Sequence, residues 1–134
     1  MIKEYNLIPF RKKLWIAIDA NYKDVKDNFT TEVNGEQEEL TLDRWNYWNN
    51  TGVAYSVRVV KKKTRSLGYL IILLNPPSKG SDLVDCMAHE ATHISDYIQG
   101  DIGCCTTDTE INAHITGYVA GKFMLTYNKS HVDR

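Results

Sequence analysis

His89-Glu90-Ala-Thr-His93 is the stretch of this chain whose residue types and spacing could do chemistry. Two histidines four residues apart on a helix of 3.6 residues per turn share one face, so both imidazoles can bind a single metal ion. Glu90 lies beside them, placed for proton transfer. The chemistry this permits is metal-assisted hydrolysis, in which a bound ion polarises a carbonyl and the carboxylate activates a water. The setting suits a cation. From Gly80 to Gly121 there is no Lys or Arg, whereas Asp82, Asp85, Glu90, Asp96, Asp101, Asp108 and Glu110 all fall within it.

A catalytic zinc site takes three protein ligands and keeps one position open, so two histidines are incomplete. The residues after His93 are Ile-Ser-Asp-Tyr-Ile-Gln-Gly, with no His where an extended HExxHxxGxxH motif needs one. Glu110, on the next helix, is the best candidate for the third ligand. Ala113, Gly117 and Gly121 follow it at steps of three, four and four and form one small-residue face. Each interior helix glycine costs roughly 1 kcal/mol relative to alanine, and close approach to the HExxH helix would supply the reason. Thr107-x-x-Glu110 also matches a capping box, which gives the same carboxylate a purely structural task. His114 is the second candidate, as a ligand, a partner of a ligand, or a donor to the oxyanion that develops during hydrolysis. Asp96 could orient a ligand imidazole or be a solvated surface acid. Tyr97 and Tyr118 are oxyanion donors or core, and Cys86 reads as a small buried hydrophobe.

The elements that must position these residues are legible in outline. Phe10 to Ile18 reads as a first strand, followed by a short helix over Asn21 to Phe29 capped by Asp19. Asn34-Gly35 marks a type I′ hairpin turn. Trp45, Tyr47 and Trp48, in an Asn-rich setting, read as core or as the lining of a substrate groove. Val53 to Val60 alternates with period two and Leu67 to Leu74 is nearly all apolar, so the two form an antiparallel hairpin around Lys61-Lys62-Lys63-Thr64-Arg65-Ser66. That basic turn reads as a solvated tip, with a nucleic-acid patch over Lys61 to Arg65 as the alternative. Asn75-Pro76-Pro77 ends the strand. The active-site helix then runs from Asp82 to Gln99, with Ser81 as N-cap and Gly100 as its stop, and a second helix runs from Thr107 to Tyr127.

With 43% hydrophobic and 25% charged residues, the 134-residue chain fits one domain over 1–134. A net charge of −1 favours neither a nucleic-acid nor an anionic-membrane partner. No secretory signal is visible and Leu70 to Leu74 is too short to span a bilayer, so a soluble cytoplasmic protein is expected. Three cysteines, with Cys104 and Cys105 adjacent, give no disulfide framework.

From Leu67 to Lys122 the chain resembles the smallest gluzincins, a branch of the zincin-like metallopeptidases found among bacterial and phage proteins. The residues that carry the resemblance are His89-Glu90-x-x-His93 and Glu110-x-x-Ala113. It implies a zincin-like α+β fold, a small antiparallel or mixed sheet packed on the HExxH helix and on a second ligand-bearing helix. It implies one zinc ion held by His89, His93 and Glu110, Glu90 as general base, and a peptide or protein substrate laid along a sheet edge. His114 departs from the thermolysin-like pattern, which has an acid there. The first 66 residues match no pattern. The alternative is a zincin fold used without catalysis, as a metal-binding, structural or virion component.

Overall fold

The computed structural model describes residues 1–103 and 109–132, and the protein is of mixed α and β structure. The chain falls into two compact units, Met1–Pro76 and Pro77–Arg134. The first contains β1 (Ile2–Leu7), β2 (Lys12–Ile18), α1 (Tyr22–Asn28), β3 (Phe29–Val33), β4 (Glu36–Glu39), α2 (Leu42–Thr51), β5 (Ala54–Lys61) and β6 (Leu67–Leu73). The second contains α3 (Gly80–Asp101) and α4 (Thr109–Val132).

The six strands make one mixed sheet in the order β1-β2-β6-β5-β3-β4. Neighbours are antiparallel except β2 and β6, which run parallel with Lys13 opposite Gly68 and Ile18 opposite Leu73. β6 is buried from Gly68 to Leu73, as its unbroken apolar run requires, and it pairs on both sides. The β5–β6 hairpin forms where period-two alternation meets a polar turn. Asn34 and Gly35 both take positive φ, 52° and 84°, as a type I′ turn needs.

Alternate residues of the central strands, Trp15, Ala17, Val59, Leu70 and Ile72, join Val25 of α1, Leu40, and Trp45 and Trp48 of α2 in a hydrophobic cluster. Trp15 meets Phe29 edge-on at 5.0 Å between ring centroids, and Trp48 stacks on Tyr55 at 5.4 Å. Trp45 and Trp48 are therefore core, while Tyr47 is exposed.

Several elements differ from the sequence expectation. The expected first strand, Phe10 to Ile18, is β2 beginning at Lys12, and an unforeseen β1 precedes it; Pro9, which lacks an amide hydrogen, and Arg11 at φ 56° turn the chain between the two. Asn21 caps α1 in place of Asp19: its side chain accepts from the Asp24 amide while the Asp24 carboxylate accepts from the Asn21 amide. Asp19 instead takes a left-handed φ of 57°. In α3, Lys79 rather than Ser81 is the N-cap, and no side chain caps it. Gly100 lies inside that helix. Gly103, at φ 69°, takes the left-handed position after it and donates to the Gly100 carbonyl at 3.3 Å, as in a Schellman end. The expected start of the second helix at Thr107, its capping box and the Cys104–Cys105 pair lie outside the described residues. Among the described residues, no helix is long and apolar enough to cross a membrane.

Candidate metal centre

α3 is two-faced. Leu83, Met87, Ala91, Ile94 and Ile98 recur at helical spacing and are buried, whereas His89 and His93 are exposed on another side. The imidazoles converge. His89 Nε2 and His93 Nε2 are 3.0 Å apart, with ring centroids 4.6 Å apart and planes at 83°. Without an ion, one ring must donate to the other, since two imidazolium groups would repel. Two nitrogens each about 2.0–2.1 Å from a tetrahedral zinc ion stand about 3.3 Å apart. The observed 3.0 Å is that of a hydrogen bond between the rings, and a separation of about 0.3 Å more would place the two nitrogens at corners of such a site.

Glu90 lies one residue from His89, about 100° round the helix, and is only 5% exposed. Its charge reaches back to Cys86, four residues earlier, consistent with the tilt of helical side chains towards the N-terminus. Burial first, and Glu90 second, push the Cys86 thiol up to about 11. Cys86 is half-buried and free, so it is held as a neutral thiol and not as a reactive thiolate.

The third ligand is where structure and sequence part. Among the described residues no group of three His, Cys, Asp or Glu side chains is gathered closely enough to hold an ion, so Glu110 does not join the histidine pair. The reason lies in how α4 meets α3. Ser95 Oγ donates to Asn112 Oδ1 at 2.5 Å, and Gln99 Nε2 donates to both Ser95 Oγ at 3.0 Å and Asn112 Oδ1 at 3.2 Å. Asn112 therefore faces α3. Glu110 and His114, each two residues from it, point about 160° away from that seam, and both are exposed. The buried side of α4 is Ile115, Val119 and Phe123.

The small-residue face consequently does not fulfil the expectation placed on it. Ala113, Gly117 and Gly121 are exposed, and a Cβ added at Gly117 or Gly121 meets nothing within 4 Å. Gly117→Ala and Gly121→Ala are each expected to stabilise the protein by up to about 1 kcal/mol through helix propensity. A raised urea midpoint with an unchanged m-value would show it, and a lowered one would mean that this face is covered in solution.

The remaining candidates sit as follows. Asp96 is exposed, and among the described residues no hydrogen bond joins it to either imidazole. Tyr97 is half-buried, and Tyr118 is exposed with the Lys122 ammonium 5.1 Å from its ring centroid. The Ser95–Gln99–Asn112 seam was not foreseen. Its signal is a Ser and a Gln spaced i,i+4 on the apolar side of α3, which a buried helix face tolerates only with a polar partner opposite. No protein-family model, curated protein or solved structure matches this chain.

Proposed function

We propose that this protein is a zinc-dependent peptidase of the zincin kind. The observation that carries the reading is the convergence of His89 Nε2 and His93 Nε2 to 3.0 Å on an exposed helix face, with Glu90 adjacent in sequence and buried at the flank of that face. When bound, zinc supplies Lewis acidity for attack of water on a scissile carbonyl. His89 and His93 would hold the ion as neutral imidazoles, with Glu110 as the expected third ligand. Glu110 stands on the outer face of α4, so its ligation would require α4 to turn and break the Asn112 bonds to Ser95 and Gln99, a cost that metal binding would have to offset. Glu90 takes the proton from the attacking water and delivers it to the leaving amine. His114 donates to the developing oxyanion.

One observation favours a second reading. The described residues gather two ligands and not three, which suits a protein that binds metal without hydrolysing anything. The two readings separate experimentally. Purified protein is expected to hold about one zinc per chain by elemental analysis, and His93→Ala to lose it. Inhibition of peptide cleavage by a hydroxamate, with the inhibitor on the metal, supports the peptidase. Zinc bound with no cleavage of any peptide in a diverse library supports the binding protein. A wild-type chain that takes up no metal overturns both.

A further inference from the structure

Charge in the first unit is gathered by strand register into a pattern that no single stretch of sequence displays. β2 and β6 are parallel, so Arg11, Lys12 and Lys13, where β2 begins, lie at the same end of the sheet as the turn leading into Leu67. That turn carries Lys61, Lys62, Lys63 and Arg65. Phe29 pairs with Lys61, and the Lys62 amide donates to the Asn28 carbonyl at 2.8 Å, which places the last turn of α1, with Lys26, at this end too. Half of the 16 Lys and Arg residues of a chain with net charge −1 are thus collected along one sheet end.

Neutralisation is partial, and Asp27, in the last turn of α1, also lies within the charge field of Lys26 and Lys62. Lys13 and Lys61 each lie 3.8 Å from the Glu4 carboxylate, and Lys62 lies 2.6 Å from Glu39. Among the described residues no acid pairs with Arg11, Lys12, Lys63 or Arg65. Two of these, Arg11 at φ 56° and Arg65 at φ 61°, stand in the left-handed region at the two hairpin tips. Gly or Asn would occupy that backbone at less cost.

We infer that this end of the sheet is a binding surface for the phosphate backbone of a nucleic acid. The shape of the patch selects that partner. β1, β2, β6 and β5 are successive neighbours about 4.8 Å apart, so the two tips that carry Arg11, Lys12, Lys63 and Arg65 together span about 14 Å, the rise of about four phosphates along one strand of a duplex. A line of cations matches a linear polyanion. An anionic bilayer would also attract the charge, but anchoring there needs a broad apolar face. Among the described residues, register places only Ile8, Leu67 and, after β4, Leu42 as large exposed apolar side chains near this end, scattered over separate turns. The contacts are to phosphate, so the surface positions nucleic acid without reading its sequence.

The test is fluorescence anisotropy with labelled DNA, single-stranded and duplex, across a salt series. About four phosphate contacts predict a slope of log K against log salt of roughly −3, and affinity falling about 50- to 150-fold between about 50 and 200 mM salt. Arg11→Glu with Arg65→Glu is expected to weaken binding at least about tenfold, while Lys122→Glu, elsewhere in the chain, leaves it unchanged. Should the reversal of charge disturb the fold, Arg11→Gly with Arg65→Gly removes the same cations while relieving both left-handed positions. That pair is expected to reduce the salt slope by about 1.5. No binding at the lowest salt, equal loss in Lys122→Glu, or binding to phosphatidylserine vesicles but not to DNA would overturn the inference.

Discussion

Glu90→Gln is expected to leave zinc content and fold intact while lowering peptide hydrolysis by about 10²- to 10⁴-fold, the usual contribution of a positioned general base. The substitution keeps side-chain volume at a position that is 5% exposed, so it opens no cavity. It removes the ability to accept a proton. It touches neither nitrogen of the pair that converges at 3.0 Å, so metal content is unaffected. In free energy the loss is about 2.7–5.5 kcal/mol of transition-state stabilisation. The readouts are kcat/KM on a quenched peptide substrate and zinc per chain on the same sample. The contrast with His93→Ala matters, because that variant loses activity by losing the ion. Retained activity in Glu90→Gln would remove Glu90 from the chemistry. Joint loss of zinc and of melting cooperativity would show that the buried carboxylate serves the fold instead.

How far the sequence reaches is set by the range of the interaction that decides each feature. The Asn34–Gly35 turn, the β5–β6 hairpin and the pairing of His89 with His93 are local, fixed by backbone preference or helical repeat over a few residues. β1 was missed because Lys3, Glu4 and Asn6 interrupt its alternation. As an edge strand it pairs on one side alone and has less need of an apolar pattern. α2 was missed because Asn46, Asn49 and Asn50 are weak helix formers, and its burial rests on Trp45 and Trp48. The parallel pairing of β2 with β6 joins segments some fifty residues apart, beyond any local signal.

The orientation of α4 shows the same limit inside the candidate site. Its sequence offers two stripes, the small Ala113/Gly117/Gly121 and the large Ile115/Val119/Phe123. Close approach along the small stripe would have brought Glu110 towards His89 and His93. Burying an Ile, Val or Phe side chain contributes about 1.5–3 kcal/mol each, whereas an exposed glycine forfeits about 1 kcal/mol. The large stripe is the buried one. Asn112 then fixes the rotation by bonding Ser95 and Gln99, since turning α4 away would orphan buried polar groups. The ligand pair is therefore readable from spacing, and its third partner depends on a helix rotation that spacing does not encode.

Gly68→Ala is expected to be the most damaging small change in the sheet, at about 3 kcal/mol or more, a fall in Tm of about 10–15 °C. An ideal Cβ at Gly68 would lie 2.1 Å from the Lys13 carbonyl oxygen, 2.8 Å from its carbon and 2.8 Å from Trp15 Cζ3. Lys13 is the parallel-ladder partner of Gly68, so two of these atoms are backbone that moves only if β2 and β6 separate. Trp15 has little room to yield. It is 1% exposed, meets Phe29 edge-on and donates from Nε1 to Glu4 at 2.9 Å. The source of the strain can be isolated. Adding Trp15→Phe to Gly68→Ala shortens the ring that a new Cβ would strike while leaving the Lys13 carbonyl in place. A double-mutant cycle should therefore recover only a minor part of the Gly68→Ala loss. Gly80→Ala, where a Cβ meets nothing within 4 Å, serves as the control and is expected to be neutral or mildly stabilising. Near-complete recovery in the double variant would place the constraint in the Trp15 ring. Little recovery would place it in the parallel backbone ladder, which would make glycine at position 68 a requirement of the β2–β6 pairing itself.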